Sequence, residues 1–118
     1  MQCLLLIYDK ESDWGKLSEA EQGAIMREYQ DFSKSINASG HYRAGSQLHP
    51  VSKATTVRVR DGKKLITDGP FAETKEQLGG YYLIEAQNLD DAVALAAQVP
   101  SARFGSIEVR PLVGRDRP

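Results

Sequence analysis

The chain has 118 residues, the usual size of one domain with one hydrophobic core, so a single domain over 1–118 is expected. Apolar residues make up 41% and charged residues 26%, which excludes a disordered or fibrous protein. The 15 basic and 16 acidic residues nearly balance, and there is neither a membrane-spanning apolar stretch nor a signal-peptide pattern, so we expect a cytoplasmic protein that binds no nucleic acid and no membrane.

The first predicted element is a strand over Cys3–Tyr8, a continuous apolar run typical of a central strand that is covered on both faces. Ser18 and Glu21 then form a capping-box pattern, which predicts a helix from Ser18 to Ala38. Gly40 follows as its stop signal. One apolar stripe along this helix is formed by Ile25, Tyr29, Phe32 and Ile36.

A mixed, glycine-containing segment over His41–Leu48 predicts an irregular or edge strand. The alternating segment Thr55–Arg60, a turn at Asp61-Gly62 and the segment Lys63–Thr67 predict a β-hairpin. A two-residue turn would place Arg60 opposite Lys63, an unfavourable like-charge pair, so the hairpin register is open by one residue.

The second half of the chain predicts a strand over Gly80–Ala86 and then a helix with Asn88 or Asp90 as its N-cap. Pro100 ends this helix, whose inward side chains are predicted to be Leu89, Ala92, Val93, Ala96 and Val99. A last strand over Ser106–Arg110 is expected to direct Ile107 and Val109 inward and to precede a frayed tail, 114–118.

This order of elements predicts a ferredoxin-like α+β fold, a split βαβ sheet with an inserted β-hairpin. Right-handed connections place both helices on one face of such a sheet. Because the first strand is apolar on both of its faces, a second copy of the sheet is expected to cover the other face, which predicts a homodimer.

The segment Asp68–Glu76, followed by Gly79-Gly80-Tyr81-Tyr82-Leu83-Ile84, closely resembles the DGPF branch of the YCII-related family. The resemblance extends over nearly the whole chain and implies a dimeric α+β barrel. It also implies a link to sigma factors, with which some DGPF-type proteins are associated or fused.

The sequence departs from the residues that make YCII proteins suspected enzymes, a histidine on the first helix and an aspartate after the second. Its first helix, 18–38, contains no histidine, and its second helix runs into Val99-Pro100-Ser101. No His–Asp dyad can therefore be carried over from the family.

The polar loop after the hairpin supplies the candidate catalytic residues, Asp68 and Glu76. Carboxylates brought together raise the pKa of one of them and create a general acid or base. The loop also contains the substrate-binding candidates Glu73, Thr74 and Lys75. In the structural alternative, Asp68-Gly69-Pro70 is only a turn. Phe71 is predicted to be buried and to anchor the loop.

Two further substrate-binding candidates lie outside the loop. Arg58 on the hairpin is placed to clamp a carboxylate or phosphate, or else belongs to a solvated face. His49, with His41, is a candidate base or metal ligand, or else has no such role. Trp14 either closes over a cleft or packs the loop before the helix.

Metal and cofactor binding are not expected, because the two histidines and the single cysteine form no set with zinc-ligand spacing. Cys3 is predicted to be a small buried hydrophobe. The leading functional hypothesis is small-molecule binding, with acid–base catalysis, in a pocket between sheet and helices whose rim includes Asp68–Glu76. The alternative is a noncatalytic dimeric accessory protein that acts through a sigma-factor partner.

Overall fold

The structure is a computed structural model that describes residues 1–114. Most of the tail predicted to fray lies outside the described residues. The helices are α1 (Glu11–Trp14), α2 (Glu19–Ala38) and α3 (Leu89–Gln98). The strands are β1 (Gln2–Asp9), β2 (Tyr42–Gln47), β3 (Thr55–Arg60), β4 (Lys63–Asp68), β5 (Gln77–Glu85) and β6 (Ser106–Pro111).

Four of the strands form one antiparallel sheet in the order β2-β5-β1-β6. Strand β1 is therefore central and β2 lies at an edge, as the sequence predicts. Helices α2 and α3 cover one face of this sheet. The arrangement confirms the ferredoxin-like α+β fold with an inserted hairpin.

The core lies between the sheet and the two long helices. It contains Cys3, Leu5 and Ile7 of β1, which alternate with half-buried neighbours. Cys3 is fully buried, and burial raises the pKa of its thiol. The prediction that this cysteine is a small buried hydrophobe is confirmed.

The ends of α2 follow from local sequence. The Glu21 N–H donates to Ser18 Oγ at 3.1 Å and the Ser18 N–H donates to Glu21 Oε1 at 3.0 Å, so the predicted capping box is present. The helix ends at Ala38, just before Gly40, which has a φ of 83°.

Helix α3 begins at the predicted cap Asn88, whose side chain accepts a hydrogen bond from the Asp91 N–H. Two of its predicted inward residues, Leu89 and Val93, are instead 50% exposed. The residues that face the core, with the helical spacing i, i+3, i+4 and i+7, are Ala92, Leu95, Ala96 and Val99.

Strands β3 and β4 form a separate two-stranded sheet. Arg60 pairs with Lys63, so the connection is the two-residue turn that the Asp61-Gly62 pair favours. Both turn residues have positive φ angles, 52° and 73°, which is the conformation of the common hairpin turn. The like-charge pair is tolerated because both side chains are exposed to solvent.

The face of the four-stranded sheet opposite the helices is apolar but incompletely covered. Alternation along β1 and β5 directs six half-buried apolar or aromatic side chains to this open face, Leu4, Leu6, Tyr8, Leu78, Tyr81 and Leu83. Residues 1–114 thus cover only one face of β1. None of the helices in the described part of the chain is long and apolar enough to cross a membrane.

Candidate functional site

A cleft of about 790 Å³ lies between α2 and the β2–β5 side of the sheet. This volume is within the range of about 300–1,000 Å³ that small-molecule sites usually have. Its wall is mainly apolar and aromatic, with residues from α2, β2, β5 and the turn after α3, including Ile25, Met26, Tyr42, Leu48, Tyr82 and Phe104.

Three glycines on the sheet allow close packing between strands beside this cavity. Gly45, Gly79 and Gly80 all line it. A Cβ on Gly45 would lie 2.8 Å from the ring of Tyr82, and a Cβ on Gly80 would lie 3.0 Å from the carbonyl oxygen of Ser46. Gly79 lies at a register shift between β1 and β5. Gly79 therefore lies at a β-bulge, and Gly80 allows a close approach between β5 and β2.

Asp9, the last residue of β1, lines the cavity. Burial raises the pKa of its carboxyl, as do the nearby carboxylates of Glu11 and Glu76, while the Ser101 hydroxyl acts in the opposite direction. A carboxyl group with a raised pKa in a cleft is a candidate proton donor or acceptor in a reaction.

Tyr29 and Ser101 place hydroxyl groups beside this carboxyl. The Tyr29 hydroxyl and Ser101 Oγ are hydrogen-bonded to each other, and Ser101 is only 2% exposed. Burial raises the pKa of Tyr29, opposed by its bond to Ser101. Tyr29 belongs to α2 and Ser101 follows α3, so the site joins both long helices to the end of β1.

A second hydroxyl pair lies on another part of the wall. Ser33 Oγ and the Tyr82 hydroxyl are 2.8 Å apart. Burial raises the pKa of Tyr82, whose ring packs edge-on against Phe32 and Tyr42 at centroid distances of 5.2 and 6.3 Å. These contacts fix the position of the Tyr82 ring in the wall.

The short helix α1 brings Trp14 to the cavity. Its first residue, Glu11, is held on both sides: the Glu11 N–H donates to Gln77 Oε1, and Glu11 Oε2 accepts from the Val51 N–H, each at 3.0 Å. Trp14 therefore lies at the cleft, and its two sequence alternatives, closing over the cleft or packing the loop before the helix, stay predictions.

The sequence-predicted loop residues lie outside the cavity lining. Asp68, at the end of β4, is exposed, and so are Glu73, Thr74 and Lys75. Glu76 is half-buried and accepts a hydrogen bond from Ser106 Oγ at 2.9 Å. Glu76 is the loop residue whose negative charge raises the pKa of Asp9. The catalytic and binding roles assigned to this loop stay predictions.

The prediction that Phe71 is buried is wrong, since this side chain is 78% exposed. The physical reason is the position of the hairpin, which pairs with no strand of the four-stranded sheet. In the described part of the chain, no core therefore lies beneath the loop that leaves the hairpin.

The remaining predicted binding residues, Arg58 and His49, are exposed and do not line the cavity. The other histidine, His41, lies between two polar partners: its Nδ1 is 2.6 Å from Ser39 Oγ and its Nε2 is 3.2 Å from Asp91 Oδ2. Within residues 1–114 the structure contains no group of three side chains suited to hold a metal ion.

Three residues of the site were not predicted from the sequence: Asp9, Ser101 and the hydroxyl group of Tyr29. Asp9 could have been predicted, since it is the first charged residue after a buried apolar strand. Tyr29 was assigned only to the apolar stripe of its helix, although its hydroxyl is polar. Nothing in the local sequence distinguishes Ser101.

The fold and the cavity together define a small ferredoxin-like α+β protein with one open sheet face. Residues 1–114 match the model of the YCII-related domain. The chain is also 38% identical over 110 residues to an uncharacterized protein of Rhizobium meliloti (strain 1021), a match that covers 92% of this chain and 89% of that protein. The chain therefore belongs to the YCII-related family. Its assignment to the DGPF branch stays a prediction from the Asp68–Phe71 motif.

Proposed function

We propose that the chain binds a small molecule in the sheet–helix cavity and that Asp9 exchanges a proton with it. The observation that carries this proposal is the position of a half-buried carboxyl with a raised pKa on the wall of a mainly apolar cleft of about 790 Å³.

The hydroxyl groups beside Asp9 support an acid–base role. The Tyr29 hydroxyl is protonated near neutral pH, as a tyrosine ordinarily is, and burial raises its pKa further, so it can donate to Ser101. The Ser101 proton is then free to point towards Asp9. A hydrogen bond from Ser101 favours the ionised form of Asp9 and links its carboxylate to the Tyr29 hydroxyl.

The experiment is a thermal-shift screen of a small-molecule library, followed by titration of each hit with fluorescence detection of Trp14, the one tryptophan of the sequence. Asp9→Asn should abolish or strongly weaken binding, because it removes charge and retains volume. The matched control is Asp61→Asn at the hairpin tip, which also changes a carboxylate to an amide and should bind as the wild type does.

Asp68→Asn tests the loop hypothesis in the same assay. If Asp68→Asn abolishes binding while Asp9→Asn does not, the functional carboxylate belongs to the loop and the present proposal is wrong. Equal binding by Asp9→Asn and the wild type would likewise contradict a role for Asp9.

We also propose that the chain is a homodimer, with the open sheet face as its interface. Leu6 on this face is flanked by Tyr81 of β5 and Glu108 of β6, and an apolar sheet face requires cover. Light scattering should give twice the chain mass of 13.0 kDa. Leu6→Lys should produce monomers, whereas Val93→Lys on the outer side of α3 should not.

The exposed hairpin favours a second candidate function, a noncatalytic accessory protein that docks on a protein partner such as a sigma factor. Val57 and Ile66 pair across the two strands and are 57% and 60% exposed. Replacement of Val57 by Lys should then abolish binding of a purified sigma factor, while Asp9→Asn should leave it intact. The reverse pattern would contradict docking through the hairpin.

A further inference from the structure

The charged groups that line the cavity are unevenly distributed. Asp9 and Glu11 lie close together at the β1 end, where Glu11 contributes to the raised pKa of Asp9. Glu76 adds a third negative charge beside them. Among the described lining residues, the only cationic side chain is that of Lys34. Lys34 lies five residues beyond Tyr29 on α2, about 7.5 Å along the helix axis.

The negative end has no cationic partner from the described part of the protein. None of the ion pairs formed within residues 1–114 includes Asp9, Glu11 or Glu76. Glu11 uses one carboxylate oxygen to accept the Val51 N–H, a neutral donor that leaves its charge in place. A desolvated carboxylate without a counter-charge is unfavourable, and a bound cation would relieve this cost.

Three aromatic residues contribute to the cavity lining near the same end. Trp14 and Tyr29 line the cavity together with Asp9, and Phe104, next to Gly105 against the end of β1, lines it too. Aromatic rings attract cations through their π faces and also provide apolar contact area for an organic group.

From these features we propose that the cavity binds an organic cation, a primary amine whose ammonium group lies at Asp9 and Glu11. The apolar or aromatic body of the amine lies along α2, against Ile25 and Met26. This inference rests on the proposed small-molecule function and specifies the ligand class. A ligand with a carboxylate or phosphate at that position would be repelled by the neighbouring carboxylates.

The test uses three probes with one phenyl skeleton and different charges, 2-phenylethylamine, 2-phenylethanol and 3-phenylpropanoate. Each is titrated at neutral pH, where the amine is protonated, with Trp14 fluorescence as the readout and ligand-observed NMR as a second measurement. We expect the amine to bind about tenfold or more tightly than the alcohol and the propanoate to bind most weakly.

Asp9→Asn should remove the preference for the amine, and Asp61→Asn, which changes the net charge equally at the hairpin tip, should retain it. Circular dichroism of both variants checks that they are folded. Lower pH should also weaken amine binding to the wild type, because Asp9 becomes protonated and loses its charge.

Three results would overturn the inference: binding of the alcohol or the propanoate as tightly as the amine, an unchanged preference in Asp9→Asn, or no binding of any probe at millimolar concentration. The library screen separates this failure from that of the proposed function. A neutral or anionic hit that requires Asp9 would retain the proposed function and exclude the cation, whereas a library without hits would exclude both.

Discussion

Gly105 should be irreplaceable because it packs directly against the end of β1. Its N–H donates to the Ser101 carbonyl at 2.7 Å, and a Cβ at this position would lie 2.1 Å from the carbonyl oxygen of Tyr8 and 3.0 Å from Asp9 Cβ. The nearest of these atoms is backbone, so no side-chain rotation can relieve the clash. Ordinary contact begins near 3.4 Å, and the turn must therefore move by about 1.3 Å.

Gly105→Ala should accordingly lower the free energy of unfolding by about 2.5 kcal/mol. The steric displacement costs about 3 kcal/mol, and the reduced freedom of the unfolded chain offsets about 0.5 kcal/mol of this cost. For a domain of this size the melting temperature should fall by about 10 °C. The displacement also separates Ser101 from Asp9, so ligand binding should weaken in the folded variant.

Differential scanning calorimetry measures the change, and Gly79→Ala is the matched control. A Cβ on Gly79 would meet its nearest atom, Asp9 Oδ1, at 3.8 Å, an ordinary contact, so this variant should melt within about 2 °C of the wild type. Neither glycine has a positive φ, so the comparison isolates steric contact. Equal melting temperatures of the two variants would refute the close packing of Gly105 against β1.

Phe32→Ala removes a ring that is 6% exposed and packed edge-on against Tyr82, and should cost about 3–5 kcal/mol in urea unfolding; a loss below about 1 kcal/mol would contradict its core position. Phe71→Ala should change the unfolding free energy of the isolated chain by less than about 0.5 kcal/mol, because the side chain is 78% exposed, and a larger loss would indicate that the loop is covered. Ser18→Ala should cost about 1 kcal/mol in the same assay by removing the α2 cap, and an unchanged midpoint would show that the cap is dispensable. Because the pKa of Asp9 is raised in the folded state, the protonated carboxyl stabilises the fold fully below the unfolded-state pKa, and this stabilisation is lost as pH rises through the folded-state pKa. Asp9→Asn should therefore be more stable than the wild type at neutral pH and lose this advantage in acid. An equal difference in unfolding free energy at both pH values would contradict the burial of the Asp9 charge.

Local sequence patterns determined the elements and hence the fold. The Ser18–Glu21 pair specifies a helix start through two short-range hydrogen bonds, and the Asp61-Gly62 turn specifies a hairpin through two positive φ angles. The apolar run of β1 indicates a central strand because both of its faces are apolar. Each of these signals depends on neighbouring residues and was therefore predictable without the tertiary structure.

The candidate site was less predictable, because its members are distant in sequence. The concentration of polar residues in the loop 68–76 predicts the functional site there. The hairpin before this loop pairs with no strand of the main sheet, and the loop lies outside the cavity lining. Burial of Phe71 was expected because an aromatic side chain after a tight turn can anchor a loop, which requires a core beneath it. Polarity within a segment does not determine which surface the segment reaches.

The sequence is sufficient to predict the order and kind of the elements, the helix caps, the turn and the family, because these depend on local hydrogen bonding, periodicity and a continuous motif. The tertiary structure alone decided that Asp9, Tyr29 and Ser101 meet, since they come from the end of β1, the middle of α2 and the turn after α3. It also decided that the carboxyl of Asp9 has a raised pKa, because desolvation depends on every atom packed around a group and not on its neighbours in the chain.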